Sequence, residues 1–85
     1  MEEEIGVITH YFGKINVGVI ELKKGKLSVG DTIRIKGHTT DLIQKVNSLQ
    51  IEHEQVDSIS PGESAGLEVA DHVREHDLVF KVTEE

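Results

Sequence analysis

Apolar and polar residues alternate along most of the chain, with the period of two that is typical of a half-buried β-strand. The clearest case is Thr32–Lys36, where Ile33 and Ile35 share one face and three polar side chains share the other. In the segment 15–22, three branched residues alternate on one face and Gly18 lies on the other, where a neighbouring side chain could approach. The strands that this pattern predicts are 5–12, 15–22, 32–36, 65–69 and 78–82.

Polar segments that contain glycine or proline separate these strands. The predicted connections are 13–14, 23–26, 37–40, 60–63 and 73–77. In Ser60-Pro-Gly-Glu63, proline presets the first φ of a turn and glycine supplies a positive φ. About six or seven short strands with a turn signal roughly every ten residues predict an all-β domain, closed into a small Greek-key barrel.

Residues 41–53 fit two different structures. With Asp41 as its N-terminal cap, a helix here would carry one stripe formed by Leu42, Ile43, Val46, Leu49 and Gln50. Leu49 and Ile51, in contrast, alternate as they would in a strand. Because the rest of the chain favours strands, we predict a long, bent strand here; a helix over this segment would contradict the barrel.

Composition supports the all-β assignment and a single domain. The chain has 85 residues, which suffices for one domain and is too short for a GTPase, kinase or dehydrogenase. Ten valines and nine isoleucines outnumber six leucines and two alanines. Branched residues at Cβ lose side-chain freedom in helices and pack well on a pleated sheet. We expect frayed ends at residues 1–4 and 83–85.

The expectation about the cellular location rests on the acidic N-terminus and the short apolar runs, whereas cysteine usage does not enter it. There is no cysteine, so disulfides and thiolate metal sites are excluded. Residues 2–4 are all glutamate, where a signal peptide would be basic, and no apolar run approaches about 18 residues. We therefore expect a soluble, cytoplasmic protein.

Charge is divided unevenly along the chain. The net charge is −7, but from residue 5 to 46 seven cations face three acids, for a net charge of +4. From residue 47 to 85, two cations face ten acids. The whole molecule should be repelled by nucleic acid at long range, although its N-terminal half could still contact phosphates.

No motif for catalysis or for a cofactor stands out. The chain has no phosphate-binding loop of the Gly-x-x-x-x-Gly-Lys-Ser/Thr type and no serine in a nucleophile-elbow context. His72 and His76 would share one face of a helix, but in a strand residues four apart are separated by about 13 Å, too far to share a metal. We therefore expect no enzyme activity, no cofactor and no metal site.

The order and spacing of the turns and strands resemble those of a known family. The relevant parts are a hairpin over 6–22, the turn Gly25-x-Leu-x-Val-Gly-Asp31, the segment 46–53 and the turn Pro61-Gly-Glu63. Together they resemble the second, β-barrel domain of the translational GTPases, such as elongation factor Tu and the initiation factors. Small barrels of the same kind also occur as tail domains in collagenase-like peptidases.

The resemblance implies a translation-factor-like barrel that binds tRNA, the ribosome or another translation protein, without the GTPase domain that precedes it in the family. On the strand that contributes to the tRNA-end pocket, Gln50 stands at the family's acidic position and His53 at its basic one. Contacts to ribosomal RNA would come from basic residues of the N-terminal half. The candidate RNA-binding residues are Lys14, Lys23, Lys24, Lys26, Arg34, Lys36, Gln50 and His53. The alternative is a protein-interaction or regulatory module that keeps the barrel but does not bind RNA.

Overall fold

The computed structural model describes residues 1–83 and contains ten β-strands and no helix in that range. The predicted all-β class is confirmed, and Thr32–Lys36 forms a strand with the predicted bounds. Within these residues there is no helix with the length and apolarity needed to span a membrane. The strands are β1 (Glu2–Phe12), β2 (Val17–Leu22), β3 (Leu27–Ser28), β4 (Thr32–Lys36), β5 (Asp41–Lys45), β6 (Leu49–Ile51), β7 (Glu54–Val56), β8 (Ser58–Ile59), β9 (Ser64–Glu68) and β10 (Leu78–Val82).

Eight of the strands form one sheet in the order β5-β4-β10-β1-β2-β9-β6-β7, and all its pairings are antiparallel. The short strands β3 and β8 pair separately. The long strand β1 lies at the centre, between β10 and β2, and its pairing shifts by one residue between Ile8 and His10. This bulge bends the hairpin of β1 and β2.

The core lies on the concave side of the curved sheet and is built by the alternation in the strands. Ile33 and Ile35 are fully buried, as predicted. Gly18 is also inward: a Cβ there would lie 3.1 Å from Val73 Cγ2, so the missing side chain leaves room for Val73. The same alternation sends Val17 and Val19 to the outer face of β2, where both are only half-buried.

The ambiguous segment 41–53 contains strands, as predicted, and no helix. The single long, bent strand is not formed: the segment divides into β5 and β6, because the chain leaves the sheet at Val46, and it ends in a turn at residues 52–53. The amide of Val46 donates to the carbonyl of Asp31, and the Val46 carbonyl accepts from the amide of Gly30. These two bonds, together with the burial of Val46, explain the bend.

The sheet does not close through a backbone ladder, so the predicted closed barrel is not confirmed. β5 and β7 remain at the two ends of the strand order. The Gln44 side chain of β5 nevertheless reaches β9: its Nε2 donates to the Glu68 carbonyl at 2.8 Å, and its Oε1 accepts from the Ala70 amide at 2.7 Å. In a parallel β-bridge, the peptide groups of one residue bond in the same way to two residues that are two positions apart on the neighbouring strand. The side-chain amide of Gln44 therefore takes the place of a backbone peptide group in such a bridge.

The N-terminal glutamates, expected to be frayed, are part of β1. Glu2, Glu3 and Glu4 pair with Val82, Lys81 and Phe80 of β10. At the other end, the Thr83 amide donates to the Met1 carbonyl. The expectation of fraying at residues 84–85 lies outside the described residues.

Candidate functional site

The outer face of the β1–β2 hairpin carries an exposed apolar wall. Val17 and Val19 point away from the core, and the bulge in β1 places Phe12 directly opposite Val17. Phe12 is 47% exposed and Ile15, in the turn between the strands, is 63% exposed. Large apolar side chains that are clustered on a surface, rather than scattered, mark a binding surface.

A second wall is formed by the tip of the β6–β7 hairpin. β6 pairs with β9 only through Leu49 and Gln50, and after Ile51 the chain turns away from β9. The turn residues Glu52 and His53 have φ values of +51° and +67°. Positive φ at both positions is the geometry of a type I′ hairpin turn, for which Asn-Gly is the preferred sequence. The strained turn therefore carries a carboxylate and an imidazole at positions where the preferred Asn-Gly sequence would have smaller side chains.

Gly66 of β9 is the floor between the two walls. Because Gly66 has no side chain, the two walls enclose an open groove of about 470 Å³. A Cβ at Gly66 would enter this space, 3.2 Å from Val17 Cγ1. We call this space the β9 groove; its two walls are Phe12, Ile15, Val17 and Val19 on one side and Gln50–His53 on the other.

The edge of β9 that pairs with β6 is left uncovered at Ser64, at the rim of the β9 groove. Backbone hydrogen-bonding groups alternate in direction along a strand. Gly66 pairs with Gln50 on the side away from β2, so Ser64 presents its backbone amide and carbonyl to that same side. β6 has ended before it reaches Ser64, which leaves these two groups at the rim of the groove.

Carboxylates lie at both ends of the β9 groove. At the Ser64 end, Glu21 lies directly opposite Ser64 on β2 and Glu52 belongs to the wall itself. At the other end, Glu68 lies directly opposite Val17, on the face of β9 that carries Ser64. The groove therefore offers an apolar middle with a carboxylate at each end.

The structure brings two of the eight predicted site residues together and separates the rest. Gln50 and His53 both line the β9 groove. Lys23 and Lys24 donate their amides to the Ile5 carbonyl, near the start of β1, whereas Lys14 follows the end of β1. About seven residues of strand, roughly 20 Å, lie between these two positions. The basic residues thus form no single surface.

The other three predicted cations are distributed over separate elements. Lys26 lies in the β2–β3 connection, and Arg34 and Lys36 lie on β4. Arg34 binds Asp41 through two hydrogen bonds of 2.8 Å, and its Nη1 contacts Glu2 at 3.1 Å. These bonds raise the pKa of Arg34 and hold the pKa of Asp41 below its usual range. A guanidinium that already binds two carboxylates is poorly placed to bind a phosphate as well.

The histidines outside the groove likewise form no group that could hold a metal ion in the part of the chain that the structure describes. The ring of His72 lies 4.5 Å from that of Tyr11, and His76 is in a turn with φ of +74°. Across residues 1–83 there is no group of three His, Cys, Asp or Glu side chains that could hold a metal ion.

The apolar wall was missed as a site because its residues were interpreted only as part of a strand. The signal was present in the sequence: Ile15, Val17 and Val19 share the face opposite Gly18. A glycine on the inner face leaves room for a core side chain, so the branched residues must face outward.

The chain is similar to proteins named as peptidases. It is 39% identical over 82 residues to an uncharacterized protease of Methanocaldococcus jannaschii, covering 95% of this chain and 20% of the relative. It is 32% identical over 78 residues to a collagenase of Porphyromonas gingivalis, covering 91% of this chain and 22% of the relative. The chain therefore spans about a fifth of the length of these relatives. No protein-family model matches it.

Solved structures share the fold. The C-terminal domain of a Geobacillus thermoleovorans protein assigned to the U32 peptidases superposes with a TM-score of 0.87, over 95% of this chain and 93% of that one. A selenomethionine variant of the same domain gives a TM-score of 0.84. The sequence identity to both is 14%, so this likeness concerns the fold.

These findings correct the predicted function. The identification with a translation-factor barrel is wrong, because the relatives are a protease and collagenases. The predicted tRNA, ribosome and translation-protein partners have no support among them. The prediction that the chain is not an enzyme is contradicted by the same names, and the alternative of an interaction or regulatory module has no support either. Whether the eight named residues bind any ligand stays untested.

The misleading motifs were turn signals. Gly30 and Gly62 have φ values of +97° and +93°, and a Cβ at either position would meet no atom within 4 Å. Both glycines are therefore required by the turn conformation and not by a neighbour. Val-Gly-Asp and Pro-Gly-Glu turns of this kind serve any small β-domain with the same strand order.

Proposed function

We propose that this chain is a domain of a U32-type peptidase, equivalent to the C-terminal domain in the superposed structures. The support is the 39% identity over nearly the whole chain to a protease, combined with the fold of a U32 C-terminal domain. Either observation alone is weaker, because folds host many functions. Under this proposal, residues 1–85 form one domain and the remaining four-fifths of the relatives contains the rest of the enzyme.

Within such a peptidase, the domain holds a polypeptide substrate in the β9 groove. The single observation that carries this role is an apolar wall beside a glycine floor, with the edge of β9 left uncovered by β6 at Ser64. Extended peptides bind to sheet edges through main-chain hydrogen bonds, while neighbouring pockets select their side chains. A substrate of a peptidase is an extended chain at the moment of cleavage, so the groove matches the shape of what the enzyme must hold.

A domain exchange tests the role. The matching 78 residues of the Porphyromonas gingivalis collagenase are replaced by this chain, and hydrolysis of collagen is measured. We expect the hybrid to retain activity and to lose most of it, through a higher KM, when Gly66→Val fills the groove. The matched control is Ile43→Ser, which changes an apolar residue that is 58% exposed on β5, away from the groove. Equal KM values for both variants would contradict the proposal.

Two finer proposals accompany this one. We propose that the sheet approaches a closed barrel through the Gln44 bridge, which the two hydrogen bonds to the end of β9 support. We also propose a cytoplasmic location, because small secreted domains commonly depend on disulfides and this chain has no cysteine. Cell fractionation with an antibody against the domain would test the location.

A further inference from the structure

We propose that the β9 groove selects a peptide segment in which an apolar side chain lies two residues away from a lysine or arginine. This inference rests on the proposed function, because it assumes that the occupant of the groove is a polypeptide. It adds the chemical class of that polypeptide, argued from the backbone edge, the walls and the charges of the groove.

The first step is the orientation of the peptide. Gly66 is already paired with Gln50 of β6, so an extended segment lies over the outer face of β9 at Gly66, where the absence of a side chain lets a backbone or a bulky residue approach. Beyond the end of β6, the same segment reaches the amide and carbonyl of Ser64, which can pair with it. The peptide therefore runs parallel to the strand axis, between the two walls.

The second step is the apolar residue. Phe12, Val17 and Val19 lie on the side of Gly66 toward β1 and β2, and Gly66 is directly opposite Val19. Their exposed surface is removed from water only when another apolar group covers it. A leucine-sized side chain over Gly66 would contact this wall on one side and the Gln50–His53 wall on the other.

The third step is the cation. Ser64 and Gly66 are two residues apart on one face of β9, about 6.6 Å along the strand. An extended peptide has the same spacing, so a side chain two residues from the apolar one reaches the Ser64 end. There it meets Glu21, directly opposite Ser64, and Glu52 of the turn. At the opposite end, Glu68 lies directly opposite Val17, so a basic residue two positions from the apolar one is favoured at either end of the groove.

Peptide binding to the 85-residue chain tests this selectivity. The probes are fluorescein-labelled hexapeptides containing Lys-Ser-Leu or Leu-Ser-Lys in a Ser/Gly context. Matched peptides carry Glu in place of Lys, or Ser in place of Leu. Fluorescence anisotropy at low and at high salt gives the Kd of each, and circular dichroism of every variant verifies that it is folded.

The expected result is that a Lys/Leu peptide binds at least tenfold more tightly than its Ser-for-Leu match, because the apolar anchor supplies most of the affinity. The Glu-for-Lys match should bind about threefold to fivefold more weakly, the range of an exposed ion pair. Glu21→Gln, Glu52→Gln and Glu68→Gln combined should abolish this lysine preference and leave the leucine preference intact.

Gly66→Val should weaken binding of the Lys/Leu peptide more than tenfold, and Ile43→Ser should not change it. If Gly66→Val does not fold, Phe12→Ser serves in its place, since Phe12 is half-exposed and outside the core. Equal binding of the Lys and Glu peptides, or binding that survives both groove variants, would overturn the selectivity. Selective binding together with unchanged collagenase KM in the domain exchange would instead refute the proposed function and leave the peptide site standing.

Discussion

The contribution of the Gln44 bridge to the stability of the domain can be measured directly. The Gln44 side chain is half-buried and makes two hydrogen bonds to the end of β9. A net contribution of about 1 kcal/mol per hydrogen bond predicts that Gln44→Ala lowers the free energy of unfolding by about 2 kcal/mol. For a domain of this size, 1 kcal/mol corresponds to a Tm change of about 4–8 °C, so Tm should fall by about 8–16 °C.

The substitution Gln44→Glu distinguishes the contributions of the two hydrogen bonds to stability, because it removes only the donor. The introduced carboxylate can still accept from the Ala70 amide, but it cannot donate to the Glu68 carbonyl while ionised. Repulsion between the two oxygens favours the protonated acid, so the introduced group has a folded-state pKa above its unfolded value. The deficit in unfolding free energy, about 1 kcal/mol or more at pH 7, should therefore shrink as the pH falls toward about 4.

Urea denaturation followed by far-UV circular dichroism measures both variants, because the chain has no tryptophan. Gln55→Ala is the matched control: Gln55 is an exposed glutamine on β7, and its truncation should change stability by less than about 0.5 kcal/mol. A Gln44→Ala variant as stable as the control would show that water replaces the bridge. A Gln44→Glu deficit that does not depend on pH would refute the donor role of Nε2.

Three further predictions concern backbone strain, packing and pH. Glu52→Asn with His53→Gly should stabilise the domain by about 1–2 kcal/mol in urea denaturation, because it supplies the residues that tolerate positive φ in a type I′ turn. Gly37→Ala should destabilise it by about 1–3 kcal/mol, because the added Cβ would overlap a buried carboxylate. Arg34→Gln should raise the pKa of Asp41, measured by NMR titration, toward its usual range. In the native protein, the Asp41 contribution to stability is present above about pH 4 and is lost as the pH falls through the lowered folded-state pKa.

Each of these predictions has a result that contradicts it. No gain in stability from the Asn-Gly turn would mean that the positive φ values are not strained. Unchanged stability of Gly37→Ala would mean that the Asp77 carboxylate can move away, and an unchanged Asp41 titration would mean that the Arg34 contact does not persist in solution.

The domain was partly predictable from local patterns. Alternation located β4 with its observed bounds, and the branched residues predicted an all-β fold because a pleated surface accommodates them. The bounds of β1 were less predictable: Glu2–Glu4 are polar, but β10 lies beside them and pairs with their backbone, which requires no apolar side chain. Pairing between residues 76 to 80 positions apart is not visible in a local pattern.

The function was predicted from the wrong part of the pattern. The resemblance to translation factors rested on turns that contain glycine. Gly30 and Gly62, however, are required only because their own turns need a positive φ. Turn residues indicate where the chain reverses direction, and proteins with different functions can have turns at the same positions. The outward-facing Val17 and Val19 are specific to this surface, and these residues line the groove on which the proposed function depends.

The sequence by itself located β1, β2, β4, β9 and β10, the inner face of β4 and the turns that contain glycine, because these depend on residues within about ten positions of one another. Only the tertiary structure decided three features: the open strand order bridged by Gln44, the early end of β6 that exposes Ser64, and the single groove lined by Phe12 on one side of β2 and Gly66 on the other. Each depends on which distant strands become neighbours and in which register. Register is a property of the whole sheet, since shifting one strand by one residue would bury Val17 and Val19 and remove the groove.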